Sequence, residues 1–217
     1  MQRLFDILLS FVALVILSPL LIIISLILKL TGEHEMFYRQ ARIGKNGKLF
    51  YVLKFATMLK DSPNLASGSI TLAGDWRVTK PGKFLRKTKI NELPQIINIL
   101  KGDISLVGPR PLVTKTFSAY NEDVQSKIYN VKPGLTGIGS IIFRDEESII
   151  SAVKDEDPHE FYKRIIAPYK GELEMWYQSN CSFLLDLQLI FMTAWVILVP
   201  TSKLYEKWFK DLPKRSF

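Results

Sequence analysis

The chain has 217 residues, room for one domain of ordinary size plus an appendage and too little for two full enzymatic domains. Its formal net charge of +8, from 29 Lys and Arg against 21 Asp and Glu, points to an anionic partner: nucleic acid, phospholipid or a nucleotide-linked substrate. The single cysteine, Cys181, excludes an internal disulfide framework, and His34 and His159 are too few for a Cys/His zinc cluster, so a reduced, cytoplasm-facing environment is expected.

Residues 7–28 read ILLSFVALVILSPLLIIISLIL, 22 residues without a charge, where a bilayer-spanning helix needs about 20. This is a membrane segment, and the absence of a small-residue cleavage site argues against a cleaved signal peptide. Ser18-Pro19 falls near its middle, where proline removes a backbone donor and clashes with the preceding turn, so a kink is expected. Positive charge lies on both flanks, Arg3 before and Lys29, Arg39 and Arg42 after. Cytoplasmic flanks carry the excess of Lys and Arg, so this symmetry favours re-entry on one face, with an ordinary kinked span as the alternative.

Residues 37–60 alternate apolar and polar around 48–55, with Asn46-Gly47 supplying a two-residue turn, which predicts a short hairpin. The stretch DSPNLASGSITLAGDWRVTKPGK, residues 61–83, is rich in Ser, Gly, Asn and Pro and reads as a long loop. Next comes an expected helix over 92–100, with Leu93, Ile96, Ile97 and Leu100 on one face, Asn91 as N-cap, Pro94 in the first turn and Gly102 as stop. After VGPRP the pattern predicts a helix at 112–130, a turn KPGLTGIG, an acidic segment, and helices near 158–180 and 183–199. The last reads as either a buried core helix or an interfacial one. Trp195, Tyr205 and Trp208, with Lys203, Lys207 and Lys210, are the mix expected at a headgroup layer.

Between residues 37 and 89 there are twelve Lys and Arg and only two acids, Asp61 and Asp75, a field that attracts a diphosphate or a lipid headgroup. Arg86 and Arg110 stand out, because they flank the expected helix and the Gly-Pro-Arg-Pro turn and a guanidinium can engage two phosphate oxygens at once. Pro109 and Pro111 fix the backbone on both sides of Arg110, so that side chain is presented at low entropic cost. Nucleic-acid binding is not expected, since the membrane segment already accounts for an interfacial positive charge.

The order QRLFD, an apolar segment with Ser-Pro, FYRQARIG, LKFATM, DWRVTKPGKFLRKTKINELPQIINILKGDISLVGPRPL, VKPGLTG and IAPYKGELEMWY resembles the bacterial sugar transferases, the monotopic phosphoglycosyl transferases that start glycan assembly. The resemblance implies an α+β, mostly helical monotopic membrane protein: a re-entrant helix over 1–36 kinked at Ser18-Pro19, then a catalytic domain over 37–217 on the cytoplasmic face of the bacterial inner membrane. It implies transfer of a sugar-1-phosphate from a UDP-sugar to polyprenyl phosphate with release of UMP, and Mg2+ beside an Asp-Glu dyad whose aspartate forms a covalent phosphosugar intermediate. Arg86 and Arg110 match its phosphate- and nucleotide-binding arginines.

The dyad falls on Asn91-Glu92, and here the sequence departs from the family. A carboxylate can attack phosphorus; a neutral amide oxygen is a far poorer nucleophile. Ala56 in KFATM is a second departure, standing where the family commonly has arginine. Three accounts follow. Glu92, also the expected metal ligand, serves as nucleophile or as base in a direct displacement; or another carboxylate substitutes, with Asp103, Asp145 and Glu146 as candidates; or the protein is a catalytically silent, membrane-anchored binding or scaffold protein.

Overall fold

The computed structural model describes residues 2–65, 74–215 and 217. Contacts divide the chain into two compact units, Met1–Arg42 with Phe50–Asp103, and Ile43–Leu49 with Ile104–Phe217.

The first unit opens with α1 (Gln2–Leu30), 29 residues and therefore about 43 Å long at 1.5 Å per residue. It is the one described helix long and apolar enough to cross a membrane. The helix runs on through Pro19. A proline has no N–H, so the carbonyl four residues back, that of Val15, loses its backbone donor; the Ser18 hydroxyl donates to that oxygen at 2.8 Å. The Ser-Pro pair thus repairs its own defect, as an apolar environment requires. Leu8, Phe11, Ile16, Ile22, Ile23 and Leu26 are exposed along this helix, whereas Asp6 and Ser10 are buried.

The predicted hairpin is present as β1 (Phe37–Ile43) and β2 (Leu49–Phe55). Asn46 and Gly47 both take positive φ, 56° and 72°, and the Lys48 N–H closes the turn on the Lys45 carbonyl. Those are the residue types that accept such angles. Phe55 joins Ile24 and Leu28 of α1 and Leu85 of α2 (Lys80–Lys87) in a small core. Part of the segment expected as loop is therefore helical, because Thr79 caps α2 by accepting the Gly82 N–H, and Pro81 sits where a missing N–H costs nothing. Arg77, fully buried, ties down the described part of that segment: it pairs with Asp75 and donates to the carbonyls of Ser62 and Leu65. Residues 66–73 of the expected loop lie outside the described residues.

The expected single helix over 92–100 is two elements. A 3-10 turn (Ile90–Gln95) leads into α3 (Ile96–Lys101), and Gly102 ends it with φ 91°, as expected. Asn91 lies inside the 3-10 turn, with no capping bond from its side chain, so its predicted role as N-cap is corrected. The buried residues of α3 are Ile96, Asn98 and Ile99, and of the four expected on the apolar face Leu93, Ile97 and Leu100 are only half-buried. The helical face is rotated because Asn98 is drawn inward: it accepts the Leu53 N–H and donates to the Tyr51 carbonyl of β2 and to Asp103. Arg3 of α1 donates to the carbonyls of Ile99 and Leu100, where α3 leaves orphan acceptors.

The second unit contains the hairpin's turn and a two-stranded parallel sheet, β3 (Ser105–Val107) with β4 (Gly134–Thr136). The expected turn KPGLTGIG thus supplies strand β4 in its middle and the start of a helix at Ile138. The expected helix over 112–130 is broken into α4 (Thr114–Phe117) and α5 (Glu122–Lys127), because Asn121 leaves the helix to cap α5 at the Val124 N–H. Short helices α6 (Ile138–Ile142) and α7 (Glu146–Ala152) follow. The predicted helix near 158–180 comprises α8 (Pro158–Phe161), a π-helical turn (Tyr162–Ile166) and α9 (Ala167–Asn180). The π turn precedes Pro168, which cannot donate to the carbonyl four residues back.

The helix expected near 183–199 is α10 (Phe183–Leu198), followed by α11 (Leu204–Trp208). α10 is amphipathic in burial, as a core helix at the surface would be: Leu185, Leu189, Met192 and Val196 are buried, and Leu184, Leu187, Phe191 and Trp195 are exposed. Phe191 stacks on Trp208 at 5.3 Å, extending an exposed aromatic surface.

Candidate functional site

In the first unit, Lys89 enters the 3-10 turn in the left-handed region, φ 59°. For a lysine that angle carries steric strain, and such residues concentrate at functional sites. The turn then presents Asn91 and Glu92. Glu92 Oε1 accepts a hydrogen bond from Lys54 Nζ on β2 at 2.8 Å, and both side chains are only about 15% exposed, 16% for Lys54 and 15% for Glu92. This is an ion pair largely withdrawn from water. Asn91 is buried, and its Oδ1 has no hydrogen-bond partner among the described residues. An amide oxygen left bare inside a protein is costly unless a ligand completes it. Arg86, half-buried in the last turn of α2, has one guanidinium nitrogen 3.8 Å from Met58 Sδ.

The other carboxylates considered as replacements have different occupations. Asp103 accepts from Asn98, whose own bonds hold α3 to β2, so it is a structural acid of the first unit. Asp145 is exposed and lies just before α7, and Glu146 is paired with Lys170; both belong to the second unit.

Among the described residues no group of three or more His, Cys, Asp or Glu could hold a metal. Magnesium, however, is commonly held by one or two carboxylates completed by substrate phosphates. Glu92, with Asn91 next to it in the chain and its buried, unpartnered Oδ1, offers hard-oxygen donors of that kind.

In the second unit, VGPRP, which runs on from the end of β3, meets KPGLTG, which carries β4. The Gly134 N–H donates to the Pro109 carbonyl and the Gly108 N–H to that of Thr136. The approach is so close that a Cβ on Gly134 would lie 2.1 Å from Gly108 N. Tyr129 then grips the turn around Pro111, its hydroxyl donating to the Arg110 carbonyl and accepting the Leu112 N–H, each at 2.9 Å. The Arg110 N–H donates to the Glu174 carboxylate.

Around Arg110 the charges are buried. Lys170 and Glu174, one turn apart on α9, are each 2% exposed. Burial pushes the Glu174 carboxyl up to about 7, although Lys170 and Arg110 pull the other way. For Lys170 burial opposes the charged form, but Glu146 and Tyr162 together outweigh it and hold the amine above its ordinary range. Tyr162 and Tyr120, also buried, are pushed upward by the same loss of solvent.

Of the residues singled out from the sequence, Arg86, Asn91 and Glu92 lie in the first unit and Pro109, Arg110 and Pro111 in the second; their neighbours Lys54, Tyr129, Lys170 and Glu174 were not anticipated. Lys54 lay in a strand whose alternation was read only for its apolar positions. Lys170 and Glu174, at helical spacing four apart within YKGELEMWY, were a legible signal; Tyr129 offered none, because its partners lie 17 and 19 residues away.

The family model for bacterial sugar transferases matches residues 1–200. The chain is 36% identical over 199 residues to the uncharacterized sugar transferase EpsL of Bacillus subtilis, covering 92% of this chain and 88% of that one. It is 34% identical over 212 residues to the undecaprenyl-phosphate galactose phosphotransferase of Salmonella typhimurium, and 35% identical over 198 residues to the UDP-glucose:undecaprenyl-phosphate glucose-1-phosphate transferase of Klebsiella pneumoniae. Those two matches cover 91% and 89% of this chain, but the chain spans only 40% and 39% of the length of the two relatives.

Proposed function

The chain belongs to the bacterial sugar transferase family, and from that premise we propose that it is a phosphoglycosyl transferase that moves a sugar-1-phosphate from a UDP-sugar to a polyprenyl phosphate such as undecaprenyl phosphate. In this reading the first step of a surface glycan is made at the cytoplasmic face of the bacterial inner membrane. Residues 1–36 form the membrane-inserted part, re-entrant about Ser18-Pro19, and residues 37–217 form the cytoplasmic part. The exposed apolar length of α1 supports membrane insertion, and the exposed aromatic face of α10 with Trp208 supports contact of the C-terminal helices with lipid.

The observation that carries the mechanism is the pairing of Glu92 with Lys54 beside an uncharged Asn91. With no aspartate at that position, the acceptor phosphate itself is the attacking group. One of its oxygens forms a bond to the sugar-bearing phosphorus of the donor, the bond from that phosphorus to the bridging oxygen breaks, and the electron pair leaves with UMP. Glu92 and Asn91 Oδ1 would hold magnesium, which supplies neutralisation of the diphosphate charge. Lys54 keeps the Glu92 carboxylate in one orientation. Arg86 and Arg110 supply fixed positive charge to donor phosphates, and catalysis of phosphoryl transfer rests mainly on such positioning and charge stabilisation. The absence of an acid at position 91 removes a repulsion against the incoming diphosphate.

The test is single-turnover chemistry in membranes. With UDP-sugar and no acceptor, no UMP is expected; with acceptor, UMP and the polyprenyl diphosphate sugar appear together. Glu92→Gln is expected to abolish turnover, and Asn91→Asp to produce a UMP burst without acceptor. A burst from the natural chain, or full activity of Glu92→Gln, refutes the direct displacement.

A further inference from the structure

Glu174 is buried to 2% exposure, yet no metal site or described salt bridge uses it, and its Oε2 has no hydrogen-bond partner among the described residues. Its other oxygen is pressed against α6, where a Cβ on Gly139 would lie 2.3 Å from Oε1. Lys170, one turn earlier on the same helix, gives its hydrogen bond to Glu146. What remains for Glu174 is the backbone N–H of Arg110. The turn around Arg110 is thereby held at successive backbone groups: the Arg110 N–H by Glu174, the Arg110 carbonyl and Leu112 N–H by Tyr129, and the Leu112 carbonyl by the Ile43 N–H.

We propose that Glu174 is a positioning residue for Arg110: its carboxylate, confined by Gly139, holds the Arg110 amide and so sets the direction in which the turn presents the guanidinium to donor phosphates. The inference rests on the reading of Arg110 as a donor-phosphate ligand. Glu174 is the negative end of the arrangement. The groups that face it are Lys170 on its own helix, Arg110 on the turn and Tyr120 between α4 and α5; α6 contributes no titratable side chain. A carboxylate grips an amide N–H more strongly than the neutral acid does. With the Glu174 carboxyl pushed up to about 7 by burial, the grip strengthens as pH rises through neutrality.

The experiment uses the full chain in lipid nanodiscs, labelled with 15N-arginine, with the Arg110 amide resonance assigned by Arg110→Lys. In the natural chain that resonance is expected to titrate with a midpoint near pH 7; in Glu174→Gln, a near-isosteric neutral variant, it is expected not to move. UDP-glucose, whose diphosphate keeps one charge state from about pH 6 to 8, is the binding probe. Its affinity is expected to weaken about tenfold from about pH 8 to pH 6 in the natural chain, the worth of one charge-assisted hydrogen bond, and to stay at the weaker value throughout in Glu174→Gln. A resonance that does not titrate in the natural chain overturns the coupling of Glu174 to Arg110, whether or not the variant folds. A resonance that titrates while UDP-glucose binds with unchanged affinity overturns the positioning role. No UDP-glucose binding at any pH overturns the donor-phosphate reading of Arg110 and the positioning role with it, and is told apart because the resonance still titrates.

Discussion

Replacing Lys54 by methionine removes the cation 2.8 Å from Glu92 Oε1 while keeping most of the side chain's volume on β2. Both partners are about 15% exposed, 16% and 15%, so water can replace little of what is lost. Breaking one side of a buried pair costs about 3–5 kcal/mol, and the residual solvent here lowers that to about 2–3 kcal/mol. Exchanging both partners, Lys54→Met with Glu92→Gln, leaves no stranded charge and costs about 1 kcal/mol. With each single variant costing about 2–3 kcal/mol, the double-mutant cycle should return a coupling of about 3–5 kcal/mol. In a chain of this length, a loss of about 2–3 kcal/mol lowers the Tm by roughly 4–12 °C. Thermal unfolding of the four proteins in one detergent, followed by near-UV circular dichroism, measures it. Additive single and double variants would show that the pair does not hold the catalytic turn, and the mechanistic role given to Lys54 would go with it.

The buried carboxyl of Glu174 makes stability depend on pH in an unusual direction. Its folded value of about 7 lies above the ordinary 4.5, so the folded state keeps a proton that the unfolded chain releases. The contribution is complete below pH 4.5 and is lost as pH rises through 7, by about 3 kcal/mol at about 1.36 kcal/mol per unit; Glu174→Gln should flatten this part of the denaturant-unfolding profile, and an unchanged slope would refute it. Gly134→Ala places a Cβ 2.1 Å from Gly108 N, so the two strands must part at a loss of about 3 kcal/mol, and a Tm within about a degree of the natural protein would contradict the packing described. Asn98→Ala leaves the Leu53 N–H and Tyr51 carbonyl without their partner, a loss of about 2–4 kcal/mol that hydrogen exchange should register as faster exchange of the Leu53 amide.

Much of the architecture was written locally. An uncharged run of 22 residues formed a single helix long and apolar enough to cross a membrane, Asn46-Gly47 can take two positive φ angles and did, and Gly102 ended α3 where it was expected to. The unusual Asn91 is a statement of sequence alone, and the proposed direct displacement starts from it. Helix starts were read less well, because capping depends on which backbone direction the preceding residues take. Asn91 and Asn121 are the same residue type at the same kind of position; one is buried inside a 3-10 turn and the other caps α5.

What only the tertiary structure decided are the partners of charges that lie far apart in the chain. Glu92 is paired with Lys54 across 38 residues, and the turn at Arg110 is held by Tyr129 and Glu174, 19 and 64 positions on. Periodicity reports which face of an element is apolar; it carries no record of which polar group on another element will meet a given carboxylate. That choice is made when burial removes water and every remaining donor and acceptor must find a partner. Chain order therefore determined the family, the long apolar helix and the asparagine at position 91, and folding determined what holds Glu92 and Arg110 in place.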